Sequence, residues 1–194
     1  MRRAQECNTV PAITCAAGQG PQATALVAGN PEEIVRVGTK GKKIEQLLQK
    51  EWLLTNHWGS FASSTIVGCH TRGYHGLLVG SPDPLVRRMM ALSNCLERVR
   101  WNGRTADLST FEFPDRLAPE GYAYLEEFRR DIGAHFTFRT EPADLCKSVY
   151  LARDSDTVVI EYTFSAVRTP VDFLVRPFVG LRDFHLLQRS EAPL

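Results

Sequence analysis

Three things are scarce in this 194-residue chain: charge imbalance, long apolar runs and cysteines at ligand spacing. Lys and Arg number 23 against 22 Asp and Glu, a formal net charge of +1. A phosphate-binding surface normally shows a basic stripe, so nucleic acid is not an expected partner. No stretch approaches the ~20 apolar residues that a membrane-spanning helix needs, so no membrane partner is expected either. Met1, Arg2 and Arg3 could open a secretory signal. Ala4 to Ala28, however, contains Gln, Glu, Asn and Pro where such a signal needs an apolar core, and a cytoplasmic location is expected. The five cysteines (Cys7, Cys15, Cys69, Cys95, Cys146) are odd in number and contain no CxxC pair, which argues against a disulfide framework and a zinc knuckle. Cys69, Cys95 and Cys146 lie in apolar, strand-like surroundings and read as small buried hydrophobes. Cys69, His70 and His75 do not have the pattern of a zinc site, and no cofactor is expected. There is no internal repeat.

Strand signals are abundant. Residues 1–31 are rich in Ala, Gly, Gln, Pro and Thr and read as a disordered tail, leaving 32–194 as one domain. Glu33 to Val37 reads as a first short strand. Ile44, Leu47 and Leu48 sit at helical spacing within Lys42 to Lys50, which predicts one short amphipathic helix. After it come apolar or alternating runs at 65–69, 76–79, 89–92, 96–101, 104–108, 122–129, 135–139, 145–151, 157–165, 171–175 and 184–187. Asn102-Gly103 between two of them is a strong hairpin signal, because both turn positions favour positive φ. About ten strands at 8–12-residue spacing predict an all-β fold, an antiparallel two-sheet sandwich.

One stretch is dense in chemistry. Glu51 to Val79, EWLLTNHWGSFASSTIVGCHTRGYHGLLV, mixes small residues, aromatics, Arg and His. Hydroxyl-rich ligands need donors, acceptors and a flat apolar face, and this stretch supplies all three. Trp58, in a polar turn with Asn56, His57 and Gly59, is the tryptophan best placed to be exposed, whereas Trp52 beside Leu53 and Leu54 reads as core. Trp101 beside the Asn-Gly turn reads as a cross-strand packing residue. If 72–75 is extended, Arg72 and Tyr74 share one face and His75 lies on the other. Either these residues face a ligand, or Arg72 pairs with a carboxylate and His75 is a satisfied, partly buried histidine.

Read in order, EWLLTN, GSFASST and TRGYHGLLV resemble the opening of the N-terminal domain of bacterial and archaeal-type glycogen debranching enzymes, the amylo-α-1,6-glucosidase family. Gly121-Tyr122-Ala123-Tyr124-Leu125 and Arg176-Pro177 through Arg182-Asp183-Phe184-His185 are similar to two later segments of the same domain, in the same order. The family usually has two glycines and a tyrosine where this chain has Gly59-Ser60-Phe61, and arginine in place of Gly73.

The resemblance implies a large two-sheet β-sandwich packed against a helical-barrel catalytic domain, in cis or in trans, that hydrolyses α-1,6-glucosidic branch points. It implies an α-glucan (glycogen or a branched maltooligosaccharide) as partner. Asn56, Trp58, Arg72, Tyr74, His75 and Arg182 become candidates for substrate binding or the domain interface. Asp183 and His185 are read as structural: Arg182 and Asp183 read as an ion-pair scaffold, with Asp183 fixing a loop by accepting hydrogen bonds, and Arg182 projecting toward a cleft is the functional alternative.

Glycoside hydrolysis needs two carboxylates about 5–10 Å apart across the scissile bond. Glu126 and Glu127 are neighbours on a strand, Asp154 and Asp156 share a turn, and Asp115, Glu120 and Asp131 have no visible partner. The family's catalytic carboxylates belong to the barrel, and no helical-repeat sequence follows Val175. No catalytic residue is expected in this chain. Two rival readings stay open: a stand-alone α-glucan-binding module and a purely structural interaction domain, because a stacking surface and an interface patch use the same residue types.

Overall fold

The computed structural model describes residues 13–16, 34–83 and 87–186. Apart from Ile13–Ala16, residues 1–31, expected to be a tail, lie outside the described residues. The elements in chain order are β1 (Ile13–Ala16), β2 (Val35–Gly38), α1 (Ile44–Leu48), β3 (Glu51–Thr55), β4 (Phe61–Thr65), β5 (Gly76–Asp83), β6 (Arg87–Trp101) and β7 (Arg104–Asp107). They continue with β8 (Thr110–Glu112), β9 (Leu117–Glu120), a 3₁₀ turn at Gly121–Tyr124, β10 (Leu125–Arg130), β11 (Ala134–Arg139), β12 (Asp144–Leu151), β13 (Thr157–Ser165) and β14 (Asp172–Asp183). No helix among them is long and apolar enough to cross a membrane.

Two six-stranded sheets carry the fold, and every described pairing is antiparallel. The first runs β1-β13-β12-β11-β10-β2; the second runs β14-β6-β5-β4-β3, with β7 also paired to β6. β8 and β9 form a small ribbon of their own. The period-2 alternation of a half-buried strand decides which residues meet between the sheets. In β3, Trp52 and Leu54 are buried while Glu51, Leu53 and Thr55 turn outward. Trp52 of the second sheet packs on Phe128 and Phe136 of the first, ring centroids 6.4 and 6.1 Å away, and its indole N–H donates to the Thr65 carbonyl at 3.0 Å. At the other end Phe173 of β14 meets Tyr162 and Phe164 of β13 at 4.9 and 5.1 Å. Ile44, Leu47 and Leu48 seat α1 on this core, as their spacing requires.

The core also contains a charge pair. Glu97 of β6 and Lys147 of β12 meet at 2.6 Å with side chains 4% and 8% exposed. The Tyr162 hydroxyl donates to the same Glu97 oxygen at 2.8 Å, and the Ser109 hydroxyl donates to the other at 2.5 Å. Burying ions is tolerable only when lone pairs and protons are satisfied in this way. Burial, followed by the Glu97 charge, drives the Tyr162 phenol far above its ordinary range.

Local expectations meet the structure unevenly. Asn102 (φ 44°) and Gly103 (φ 74°) form the turn between β6 and β7 as read from sequence, with Trp101 opposite Arg104. The runs at 89–92 and 96–101 are one strand, β6, bent by a register shift near Asn94. Residues 122–124, the start of the run read as strand at 122–129, lie in a 3₁₀ turn, Gly121–Tyr124: the Gly121 N–H donates to the Ser109 carbonyl, and an added Cβ there would lie 2.2 Å from the Leu108 backbone. Phe184 to Leu186, also read as strand, forms a turn after β14.

Candidate functional site

The candidate residues fall into three groups, all around the second sheet. The first is the β3–β4 turn. Asn56 holds it rather than facing out. Its side-chain oxygen accepts the Trp58 and Ser60 N–H groups at 3.0 and 2.9 Å, and its amide donates to the Ala152 and Ser155 carbonyls, both at 2.9 Å. Asn56 therefore ties this turn to the β12–β13 turn of the other sheet, and the Ser60 hydroxyl adds a bond to Asp156. Trp58, at the tip, is 53% exposed.

The second group is the loop before β5. Residues 71–75 form a turn rather than a strand, so the alternation expected for Arg72, Tyr74 and His75 does not apply. His75 is buried; its Nδ1 accepts the Thr71 N–H at 3.2 Å and its Nε2 lies 3.7 Å from Glu51. Arg72, exposed, donates to the same Glu51 carboxylate. These are the contacts of the satisfied-histidine reading. Tyr74 is 49% exposed, and its ring packs against Phe184 and His185 at 5.2 and 5.8 Å.

Arg182 joins this loop to the third group, the turn after β14. Its guanidinium donates to the Gly73 carbonyl at 2.8 Å and to the Asp183, Phe184 and Leu186 carbonyls at 3.2, 3.2 and 2.7 Å. It makes no ion pair with the Asp183 carboxylate, which instead accepts the His185 N–H at 2.8 Å. One planar cation thus fixes two segments 109 residues apart.

Between these groups, on the outward side of β3 and β4, lies an open, solvent-facing cavity of about 420 Å³ lined by Leu53, Thr55, Gly59, Phe61, Tyr74, Arg88 and Phe184. A second depression of about 520 Å³ lies between the edge strands β2 and β3, with Lys50, Glu51 and Arg130 among its walls. Leu53 and Thr55 of β3 line both, so the two adjoin at that strand.

The glycogen debranching enzyme N-terminal family model matches residues 50–194. The chain belongs to that family. No curated protein and no solved structure matches it significantly. All eight candidate residues of this debranching-enzyme domain fall within the matched span. The structure brings Tyr74, Arg182 and His185 together, places Trp58 beside the cavity through Gly59, and leaves Arg72 and His75 on Glu51. Phe61, Arg88 and Phe184 were not singled out from sequence; Phe61 and Arg88 are neighbours only through strand pairing.

Two further polar clusters of the domain are closed to ligands. Asp131, which has no visible partner in sequence, bonds Arg129 and His135, and His135 in turn meets Ser148 at 2.9 Å. His135 and Ser148 are each 5% exposed, so this Asp–His–Ser chain cannot reach a substrate. His70 packs edge-on against His75 at 5.8 Å, and its Nε2 is buried without a hydrogen-bond partner among the described residues. The residue as a whole is half-buried. Burial, then the charges of His75 and Lys147, pushes its pKa down to about 3; burial also lowers His75, against the pull of Glu51.

This gives a pH signature. A histidine whose folded pKa lies below its unfolded 6.5 binds fewer protons when folded, so acid favours unfolding. Stability should hold above about pH 6.5 and fall as pH drops toward about 3. Thermal melts of the protein and of His70→Met across this window should show a shallower acid decline in the variant. Equal slopes would show that His70 does not carry the effect.

Proposed function

We propose that this domain works with a helical catalytic domain on a branched α-glucan, contributing one wall of the substrate cleft and a packing face, while the hydrolytic carboxylates lie on that partner. The family match over 50–194 carries the reading. The exposed surface supports it. On the β3 side, Trp58 offers an apolar face, and Lys50, Glu51 and Arg130 ring the depression between β2 and β3 with donors and acceptors for sugar hydroxyls. On the β14 side, Val179 and Leu181 are 61% and 67% exposed, and Leu181 holds φ 46°, a left-handed conformation that a leucine rarely adopts. Leu186, 66% exposed, extends that surface. Apolar side chains held out in this way suit a protein partner better than water. The glucan therefore lies along β3, and the catalytic domain seats on β14.

The test uses the assembled enzyme. Trp58→Ala removes a stacking platform worth about 1 kcal/mol, so KM for a branched α-glucan should rise about fivefold with the melting temperature unchanged. Unchanged KM and kcat in both Trp58→Ala and Arg130→Ala would remove this face from the cleft. Glycogen binding by the chain alone, without any catalytic partner in its own cells, would favour the stand-alone module.

A further inference from the structure

We propose that the cavity under Tyr74 is a binding site for a small organic monoanion with a flat apolar body, an aromatic carboxylate being the simplest such ligand, and that it is not a saccharide subsite. The inference does not depend on the glucan-facing role.

Three rings (Phe61, Tyr74 and Phe184) and Leu53 supply most of the lining. Few polar side chains face it. The Tyr74 hydroxyl is turned to His185 Nδ1 at 3.4 Å, which leaves the Thr55 hydroxyl and the Arg88 guanidinium. A glucosyl unit carries a hydroxyl on nearly every carbon; those turned onto the apolar walls find no partner, and each costs about 1–3 kcal/mol. A ring without hydroxyls meets no such penalty and fills the same space. At about 420 Å³, the cavity falls within the size range of small-molecule sites.

Arg88 sets the charge of the ligand. Its guanidinium carbon lies 5.7 Å from the Phe61 ring centroid, and it has no carboxylate partner among the described residues. The nearby cation Arg182 is committed to carbonyls, Arg72 to Glu51. A guanidinium over an aromatic face at the edge of an apolar cavity is arranged to take a carboxylate by two parallel hydrogen bonds. The walls are also held in advance: the same Arg182 clamp fixes Gly73, next to Tyr74, and Phe184 itself. Binding therefore loses little loop entropy.

The test titrates the ¹⁵N-labelled full chain with 3-phenylpropionate, with its neutral amide 3-phenylpropionamide, and with maltotriose, reading backbone amide shifts. Phenylpropionate should give saturable shifts at Gly59, Phe61, Tyr74 and Phe184. The neutral amide should bind about fivefold more weakly, the worth of one charge-assisted contact. Arg88→Met, at an exposed position, should keep the fold and abolish that difference. Leu53→Trp, also exposed, should fill the cavity and abolish the shifts. Absence of saturable shifts with phenylpropionate would overturn the proposal. So would a carboxylate preference that survives Arg88→Met, or saturation of these amides by maltotriose alone. A loss of glucan effect in Trp58→Ala bears on the cleft wall and leaves this result untouched.

Discussion

Lys147→Met should lower unfolding stability by about 3–5 kcal/mol, because it leaves the Glu97 carboxylate buried without its cation. Glu97 would keep the Tyr162 and Ser109 hydroxyls as donors, which stabilise the ion in part. They cannot neutralise it. Methionine fills the space of the lysine stem, so the loss reports charge rather than volume. Urea unfolding monitored by tryptophan fluorescence reads the change as a shift in midpoint at constant slope. A loss below about 1 kcal/mol would mean that the Tyr162 and Ser109 hydroxyls satisfy the carboxylate without the lysine. Adding Glu97→Leu to Lys147→Met should return part of the lost stability, since an apolar pair in a dry interior often matches or exceeds an ionic one. This pair joins β6 to β12, one strand from each sheet.

Trp52→Ala should cost about 3–5 kcal/mol, the range for removing a large aromatic side chain from a packed interior. The residue is 4% exposed and packs on both Phe128 and Phe136 of the opposing sheet. Its removal opens a cavity where the sheets meet and leaves the Thr65 carbonyl without the indole donor. Trp52→Phe should lose much less, since it keeps the ring contacts and gives up only the hydrogen bond and some volume. The Trp52→Ala and Trp52→Phe unfolding midpoints together separate packing from hydrogen bonding. Equal losses would assign the effect to the indole N–H.

How far these features can be read from sequence depends on how local their causes are. The buried positions of β3 follow from strict alternation, and the Asn102-Gly103 turn follows from two adjacent residues that tolerate positive φ. Membership of the debranching-enzyme family rests on ordered segments legible along the chain. The continuity of β6 is hidden because Ser93, Asn94 and Cys95 resemble a break. Asn94 is accommodated by donating to the Gly68 carbonyl at 3.1 Å and accepting the Cys95 N–H at 2.9 Å, and neither bond shows in local pattern. The Glu97–Lys147 pair escapes notice for a similar reason: its members stand 50 positions apart on different sheets. Arg182 invites an ion-pair reading because an aspartate follows it. Its partners are carbonyls, which a sequence does not distinguish. The cavity is made by four separate segments, so only strand pairing assembles it.

β6 is paired on both edges over much of its fifteen residues, with β14 along one side and β5 then β7 along the other. A strand so enclosed cannot peel away first. Unzipping of this sheet has to begin at its margins, at β14, β3 or the short β7, and exposed apolar side chains stand on the first two. The surfaces proposed to meet partners would thus be the parts of the sheet cheapest to disturb, while the amides of β6 should stay closed until the sheet is lost as a whole.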